Sequence, residues 1–381
     1  MLYPLKFKPR LKERIWGGDK LLSFGRKLTS RQRARGVKIG ESWDISGVDG
    51  DLSVVSNGFL KGNNLQELVE VYMGDLVGDA VYERYGLTFP VLVKLLDAQD
   101  TLSIQVHPDD RLAEERHGSY GKNELWYIVE CQPGAAVYIG FKRKVTREEF
   151  IDALSDGTLP RLLNRFEVKV GDCYFIPAGT IHAIDKGTLI AEVQQTSDIT
   201  YRVFDWNRVD ADGKPRLLHT ALAVDAIDFD AETRYDITVP SVPNRSTEVV
   251  SCSQFTANLL EVEGETTRDY APLDSFVIYT AVKGNLEAVC DDCAETLVCG
   301  ESLLIPATQD AVTLRGHGKV LEIYVGRPAT MTPSDREEAR HEACGCGHEH
   351  YHYHDHEACG CGHDRPEHEE AMYRFLHRHT S

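Results

Sequence analysis

Residues 102–110, with the sequence LSIQVHPDD, combine strand periodicity with side chains that could bind a metal ion. Alternate residues of a strand face the same side, so Ser103, Gln105 and His107 would share one face. The polar face of a strand usually meets water, and this row alone does not distinguish a solvated strand from a binding site. Further candidate ligands are needed to decide between the two.

Two later segments supply such ligands. The run GKNELWYIVE places Lys122 and Glu124 on one face of a strand, and PAGTIHAI places His182 just after a tight turn. Proline and glycine fix such turns, which lets the imidazole point back toward the strands. Two imidazoles, one carboxylate and the Gln105 amide oxygen make a plausible set for a divalent first-row metal. A mixed nitrogen and oxygen set without thiolate indicates a catalytic site with open positions.

The elements that must position these residues are mostly strands. Short apolar runs separated by turn residues dominate the chain before the tail, and this spacing predicts a mainly β sandwich or barrel. Residues 64–85 have helical spacing instead. A second helix is predicted after Thr146, which forms a capping box with Glu149. A few helices are therefore inserted into a β core.

An internal repeat predicts two β domains of similar build. Residues 171–183, GDCYFIPAGTIHA, match residues 300–312, GESLLIPATQDAV, but Thr308 and Ala311 replace Gly179 and His182. We expect the second domain to be free of metal because it lacks this histidine. The acidic stretch 225–236 marks the boundary, which gives domains at 1–230 and 231–328.

The tail at residues 329–381 is a third kind of sequence. It contains HEACGCGH twice and has no core-forming period, so we expect disorder in the absence of a ligand. Thiolate and imidazole ligands suit zinc, copper(I) or nickel. The alternative is an acidic tail that binds metals in vitro without a biological role. The candidate tail ligands are His341, Cys344, Cys346, His348, His356, Cys359, Cys361 and His363.

Composition excludes several classes of function. The net charge of −18 argues against sequence-independent binding of nucleic acid, which needs a basic surface. The sequence has no transmembrane run, and its amino terminus lacks the apolar region of a signal peptide, so a cytoplasmic protein without membrane association is expected. Ten cysteines in such a chain indicate reduced thiols.

Several of these strings resemble a known family. The pattern G-x5-P-x-G-x2-H at residues 171–182 is similar to the second motif of the cupins, which are metal-binding jelly-roll β-barrels. With RIWGG, GESWDIS, LSIQVHPDD, GKNELWYI and SDITYRVFDWNR, the sequence resembles the type I mannose-6-phosphate isomerases in their short bacterial form. The resemblance covers roughly residues 1–327. It implies two cupin domains, one divalent metal that we expect to be zinc, and a sugar phosphate as substrate.

The resemblance also implies roles for individual residues. The metal ligands would be Gln105, His107, Glu124 and His182, and the catalytic residues would be Arg202, Glu192 and Lys122. Ser103, Lys122 and Arg202 would contact the sugar phosphate. Alternatives stay open for three of them: Glu192 as a paired structural carboxylate, Arg202 as an ion-pair partner of Asp198 or Asp205, and Lys122 as a solvated loop charge.

The chemistry implied is an aldose–ketose isomerisation. Interconverting mannose 6-phosphate and fructose 6-phosphate moves a proton between C1 and C2 through an enediol, whose negative charge a metal and an arginine would stabilise. A carboxylate would carry the proton. The alternatives are another metal-dependent cupin enzyme, such as a glucose-6-phosphate isomerase or an oxygenase, and a non-catalytic cupin that binds sugar or metal.

Overall fold

The β-rich region folds into antiparallel sheets, as the spacing of its apolar runs predicts. The computed structural model describes residues 2–209, 213–230, 235–291 and 293–326. Within these ranges, twelve strands form two sheets that we call the N-terminal barrel. They are β1 Arg10–Gly18, β2 Ile39–Ile45, β3 Val91–Ala98, β4 Ile104–Val106, β5 Glu124–Cys131, β6 Ala136–Phe141, β7 Leu163–Glu167, β8 Cys173–Ile176, β9 His182–Ile184, β10 Thr188–Gln195, β11 Tyr201–Phe204 and β12 Asp236–Ile237.

The N-terminal barrel encloses its core between the two sheets. One sheet has the strand order β1-β2-β3-β10-β5-β8-β12, and the other has the order β11-β4-β9-β6-β7. A buried cluster between them takes Trp126 and Ile190 from the first sheet and Val137 and Ile184 from the second. This is the jelly-roll arrangement of the predicted fold class.

Six more strands, β13 to β18, form a second antiparallel unit that we call the C-terminal barrel. Strands β14, β18 and β15 are 14 residues long and lie side by side, and β17 pairs with β15. Its core is a separate buried cluster. The strands are β13 Ser246–Ser251, β14 Thr256–Asp269, β15 Val277–Cys290, β16 Cys293–Val298, β17 Ser302–Ile305 and β18 Ala311–Tyr324.

The central strands of the seven-stranded sheet are buried on both faces. All eight residues of β3 and all eight of β10 are buried. One face of these strands, with Val93 and Val193, joins an apolar cluster that includes Leu321 and Ile323 of the C-terminal barrel. The alternate residues, among them Lys94 and Glu192, face the interior of the N-terminal barrel. The period of two thus directs charged side chains inward.

The predicted helix over residues 64–85 is interrupted at two positions: Met73 (φ 45°) kinks the first helix, and Gly78 (φ 93°) separates it from the second. A Cβ at Gly78 would lie 2.4 Å from the Asp274 carbonyl oxygen of the C-terminal barrel. The Asp274 carboxylate accepts hydrogen bonds from the backbone N–H groups of Asp79 (2.7 Å) and Ala80 (2.8 Å), which caps the second helix.

The other predicted helix also forms, and Thr146 and Glu149 make its capping box. Among the helices in the described part of the chain, none is long and apolar enough to cross a membrane. A 3-10 helix spans Leu159–Leu162. The α-helices are α1 Lys20–Ser23, α2 Ser30–Arg35, α3 Leu65–Val77, α4 Asp79–Tyr85, α5 Asp110–His117, α6 Arg147–Ser155 and α7 Thr220–Ala226.

Two pairings cross the predicted domain boundary at residue 230. Strand β12, which follows this boundary, pairs with β8 of the N-terminal barrel. Leu5 pairs with Leu304 of the C-terminal barrel through two backbone hydrogen bonds. The domain limits at 1–230 and 231–328 therefore stay a prediction. The tail at 329–381, with all of its candidate metal ligands, lies outside the described residues.

Candidate metal centre and active site

Two rows of polar side chains face each other across the N-terminal barrel. In the five-stranded sheet, Gln105 lies directly opposite Arg202 on one side and His182 on the other. In the seven-stranded sheet, Glu192 lies between Lys94 and Trp126. Because strand register sets both rows, a shift of one residue in any of these strands would turn its side chain away from the site.

Three potential metal ligands meet where the rows approach each other. His107 follows β4, Glu124 begins β5 and His182 begins β9. One ligand atom from each residue lies within 4.8 Å of the others, and all three residues are buried. Among the described residues, this is the one group of three or more histidines, cysteines and carboxylates with such spacing.

The two imidazoles present the nitrogens that a metal would need. His107 Nδ1 lies 2.9 Å from the Ile199 carbonyl oxygen, and His182 Nδ1 lies 2.7 Å from the Thr180 carbonyl oxygen. A carbonyl only accepts, so each Nδ1 carries the hydrogen and each Nε2 keeps its lone pair. The Nε2 atoms lie 3.2 Å and 3.6 Å from the Glu124 carboxylate.

Burial keeps both imidazoles in the neutral, ligating form. Desolvation lowers the pKa of His107 to about 3, and the nearby Lys122 ammonium contributes to the shift. Burial also lowers the pKa of His182. At neutral pH neither ring is charged, so both rings are available as metal ligands.

The Glu124 carboxylate is one of the buried polar groups that lack a regular hydrogen bond among the described residues. It is 1% exposed, and Lys122 Nζ lies 2.6 Å from its Oε1 as an ion pair. Burial works to raise the Glu124 pKa, but the positive charge of Lys122 outweighs it, and the pKa lies well below its usual value. A buried, ionised carboxylate between two free imidazole nitrogens fits a divalent cation.

Gln105 and Ser103 lie beside this triad, on the strand that the polar row predicted. Gln105 Nε2 is 3.3 Å from His182 Nε2. A half-turn of the amide would bring its oxygen to the same place, where it could act as a ligand. Ser103 is buried and lines the cavity above the triad. Ser103 and His107 are thus buried and Gln105 is half-buried, so the row faces the interior of the barrel, and its assigned roles stay predictions.

Lys122 belongs to the centre and not to a solvated loop. It is buried, and its Nζ lies 3.3 Å from His107 Nε2 as well as beside Glu124. Burial works to lower its pKa, but the Glu124 and Glu192 carboxylates outweigh it and raise the pKa above the usual lysine value. Lys122 therefore carries a full positive charge next to the triad.

Glu192 is held in place by two donors. Lys94 Nζ donates to Oε1 (3.0 Å), and Trp126 Nε1 donates to Oε2 (2.9 Å). Burial and the charge of Glu124 raise the Glu192 pKa above its usual value. Each carboxylate oxygen keeps a second lone pair, and the residue lines the cavity. The geometry is compatible both with a structural pair and with proton transfer.

Arg202 is not the surface ion-pair partner considered from its sequence context. Among the described residues, Asp205 pairs with Arg208 and Arg216, and no carboxylate lies within ion-pair distance of Arg202. Arg202 Nη1 donates to the Leu217 carbonyl (2.9 Å), while its buried Nε has no hydrogen-bond partner within the described part of the chain. Burial and the charge of Arg216 lower its pKa from the usual arginine value.

His219 holds the backbone of Arg202, a contact that no motif indicated. The Arg202 N–H donates to His219 Nδ1 (3.1 Å), and the His219 N–H donates to the Arg202 carbonyl (2.8 Å). Burial lowers the His219 pKa, which favours the neutral ring that can accept this bond. His219 therefore extends the ladder at the edge strand that carries Arg202.

A cavity of about 450 Å³ lies beside the triad, and Gln105 and Lys122, which contact His182 and Glu124, are part of its wall. It brings together five predicted residues, which are Ser103, Gln105, Lys122, Glu192 and Arg202. Four further basic residues also line it: Lys12, Arg14, Lys94 and Arg216. A larger cavity of about 680 Å³ lies elsewhere, beside β8 and β12, and none of the predicted site residues lines it. The cavity of about 450 Å³ has six basic and four acidic side chains in its lining, and it is the candidate substrate site because it joins the predicted residues.

One group of residues on the wall of this cavity was not predicted from the sequence. Glu41 accepts hydrogen bonds from Arg14 Nε (2.6 Å) and Trp43 Nε1 (2.6 Å). The ammonium groups of Lys12 and Lys94 lie 4.3 Å and 5.1 Å from the Trp43 ring centroid, within reach of a cation–π interaction. The signal was the alternation of Glu41 and Trp43 in GESWDIS, which places both on one strand face.

Comparison with known proteins finds relatives that match most of this chain. The model of the type I phosphomannose isomerase catalytic domain matches residues 4–128. Mannose-6-phosphate isomerase ManA of Bacillus subtilis is 34% identical over 335 residues, which are 84% of this chain and 98% of that protein. The mannose-6-phosphate isomerase of Streptococcus mutans is 34% identical over 310 residues, 81% of this chain and 94% of that protein. The crystal structure of the Bacillus subtilis mannose 6-phosphate isomerase has a TM-score of 0.76 at 34% identity, and the match covers 85% of this chain and 100% of that one.

The two packed sheets and the buried His, Glu, His centre define a cupin with a candidate metal site. Within that class, the identity and coverage of the relatives are specific. The chain belongs to the type I mannose-6-phosphate isomerase family. The family and the mainly β, two-barrel fold predicted from the sequence are confirmed.

Proposed function

We propose that this protein interconverts mannose 6-phosphate and fructose 6-phosphate. One observation carries the proposal: the buried, ionised Glu124 carboxylate lies between two free imidazole nitrogens, beside a cavity whose lining has six basic and four acidic side chains. Such a cavity suits an anionic sugar phosphate, whereas the protein as a whole carries a charge of −18. The names of the Bacillus and Streptococcus relatives support the same substrate pair.

His107, Glu124 and His182 would hold the metal, with the Gln105 amide as a further ligand. Two nitrogens and one or two oxygens suit zinc, which is the metal we propose. When bound, a divalent cation would polarise the sugar oxygens and stabilise negative charge that develops on them. Neutral imidazoles and an ionised carboxylate at neutral pH are the protonation states that such binding requires.

Glu192 is the proposed base that moves the proton between C1 and C2. Its raised pKa strengthens it as a base relative to an ordinary glutamate, and Lys94 and Trp126 fix its orientation. The same carboxyl group would remove the proton from one carbon and return it to the next. Lys94 and Lys122 supply positive charge close to the reacting oxygens.

Arg202 is proposed to stabilise the negative charge that develops on the enediol oxygens. Its Nε lacks a partner among the described residues, so it can donate to the substrate without breaking a bond within the protein. Ser103 and Lys122 complete the proposed contacts to the sugar phosphate. All three residues line the cavity.

The test is a coupled assay for fructose 6-phosphate formation, with glucose 6-phosphate as a competing candidate substrate. We expect turnover of mannose 6-phosphate in the presence of zinc, and its loss in His182→Ala together with the metal at the triad. Turnover of glucose 6-phosphate alone would favour the other isomerase. Zinc binding without turnover of either sugar would indicate a non-catalytic cupin.

For the tail we propose independent binding of soft or borderline metal ions. Each HEACGCGH string offers two thiolates and two imidazoles. The test compares the full chain with a chain that ends at Pro328, in metal content and in activity across a chelator titration. We expect the truncated chain to bind fewer ions but to keep full activity in excess zinc. Equal metal content in the two chains would contradict the proposal.

A further inference from the structure

Asn123 joins the elements that carry two of the metal ligands. It directly precedes Glu124, and β5 pairs with β8 so that Glu124 lies opposite Ile176. Beyond this pair the backbone ladder ends, and Pro177 begins the turn. The Asn123 side chain continues the connection between the two strands: its Oδ1 accepts the N–H of Ala178 at 2.8 Å.

This bond fixes the turn that leads into His182. The neighbouring Gly179 N–H donates to the His107 carbonyl at 2.9 Å. The turn is thus tied to one metal ligand through Gly179 and to the strand of another through Asn123. The separation of Glu124 and His182 therefore depends on the Asn123 amide.

The C-terminal barrel holds Asn123 in turn. Asn123 Nδ2 donates to Gln254 Oε1 at 3.0 Å, and Gln254 Nε2 donates to Asp110 at 2.8 Å. Asp110 also accepts from the Gly121 N–H (2.8 Å) and from Gln195 Nε2 (2.7 Å). Gln195 Oε1 closes the network by accepting the Asn123 N–H at 2.9 Å. Three of these five bonds end on Gly121 or Asn123 and so hold the segment that carries Lys122 and Glu124.

We infer that Asn123, held by Gln254 of the C-terminal barrel, is a positioning residue for the metal centre. The inference rests on the proposed function, since it requires that the triad bind a divalent metal. It assigns a role to the C-terminal barrel, which reaches the centre through Gln254. Outer residues that orient metal ligands typically contribute 10- to 100-fold to metal affinity.

The experiment measures zinc affinity of the full chain by competition with a chromophoric chelator. The zinc bound by Glu124→Gln protein is held outside the triad. Subtracting this amount from the zinc bound by each other protein leaves the zinc bound at the triad. We expect Asn123→Ala to weaken triad affinity about tenfold and Gln254→Ala to weaken it by a smaller factor. The effects of the double variant should be less than additive, because the two residues share one network.

Asn57→Ala is the matched control. Asn57 Oδ1 accepts the Lys6 N–H (2.9 Å) and its Nδ2 donates to Glu295 of the C-terminal barrel (2.7 Å), so it joins the two barrels as Asn123 does but away from the strands that carry the triad. Triad affinity equal to wild type in Asn123→Ala, or an equal loss in Asn57→Ala, would overturn the inference. If Asn123→Ala does not fold, Gln254→Ala decides by the same criterion. If wild type holds no more zinc than Glu124→Gln, the metal centre itself, and with it the proposed function, fails.

Discussion

The two barrels differ in whether their buried polar groups have hydrogen-bond partners. Four buried side-chain atoms lack a hydrogen-bond partner among the described residues, and all belong to the N-terminal barrel: both oxygens of Glu124, Arg202 Nε and the Tyr235 hydroxyl. In the C-terminal barrel, Glu322 is equally buried at 1% exposure. Its carboxylate accepts hydrogen bonds from Arg268, Tyr270, Ser246 and Asn258.

The difference separates a site from a structural network. An unsatisfied buried group costs about 1–3 kcal/mol, and more when it is charged, so a fold keeps one where a ligand would satisfy it. Two of the unsatisfied groups belong to the predicted site residues Glu124 and Arg202. The donors around Glu322 satisfy its carboxylate, so no ligand is needed there. They lie in the C-terminal barrel, whose copy of the repeated motif lacks the histidine.

Glu124→Gln should have the largest effect, because it removes the charge that the cation would neutralise. We expect loss of zinc from the triad and a fall in turnover beyond the roughly 100-fold caused by outer-shell changes. Metal analysis and the coupled assay measure both. Glu130→Gln, an exposed change on the same strand, is the control and should keep full activity. Normal zinc content in Glu124→Gln would show that this carboxylate is not needed to bind zinc, and the contrast drawn between the two barrels would then be wrong.

Arg202→Ala tests the second unsatisfied group. We expect kcat to fall about 10²- to 10³-fold while zinc stays bound, because the guanidinium would act on charge that develops only during the reaction. Steady-state kinetics with metal analysis measure this. Arg165→Ala, at the opposite edge strand of the same sheet, should change neither quantity. A rise in KM alone would assign Arg202 to substrate holding.

Glu322→Gln should give the complementary result. An amide nitrogen would face side chains that now donate, so we expect the free energy of unfolding to fall by about 3 kcal/mol. Chemical denaturation measures the change. The kcat at a temperature where the variant is folded should stay within about twofold of wild type, because surface and structural changes away from the reacting groups act on stability. A large loss of kcat at unchanged stability would show that the C-terminal network is part of the site.

The pH dependence should reflect the raised pKa of Glu192. The base must be ionised, so kcat/KM should rise with pH through that pKa, and the midpoint should lie above the ordinary glutamate value of about 4.3. The profile is measured in excess zinc, with triad occupancy determined at each pH to separate loss of metal. Glu192→Gln should abolish this limb together with turnover. An acid limb retained in that variant would assign the titration to another group.

The sequence predicted the part of the site that depends on local periodicity. Gln105 and His107 alternate on one strand, and the Pro-Gly turn sets the direction of His182, so a period of two and turn chemistry were sufficient. The repeat was also informative, because β8 and β17 both lead into a proline turn. The turns themselves differ: Gly179 has φ 86°, whereas Thr308 occupies that place in the second turn.

The parts that were not predicted depend on contacts between distant segments. Lys94 lies in an apolar run, and its pairing with Glu192 follows from strand register rather than from a motif. The link from Asn123 to Gln254 spans 131 residues. The break at Gly78 exists because Asp274 caps the following helix, which helical periodicity in residues 64–85 could not show.

The pairing of Leu5 with Leu304 has a consequence for how the chain folds during synthesis. Residues near the amino terminus leave the ribosome first, but their two backbone hydrogen bonds need a partner that is made almost 300 residues later. Helix α4 likewise has no cap until Asp274 has been made. Contacts so distant in sequence make folding slow and expose unpaired strands meanwhile. Leu5 of the nascent enzyme therefore has no backbone partner until Leu304 has been made, and chaperones have their longest access to this amino-terminal segment.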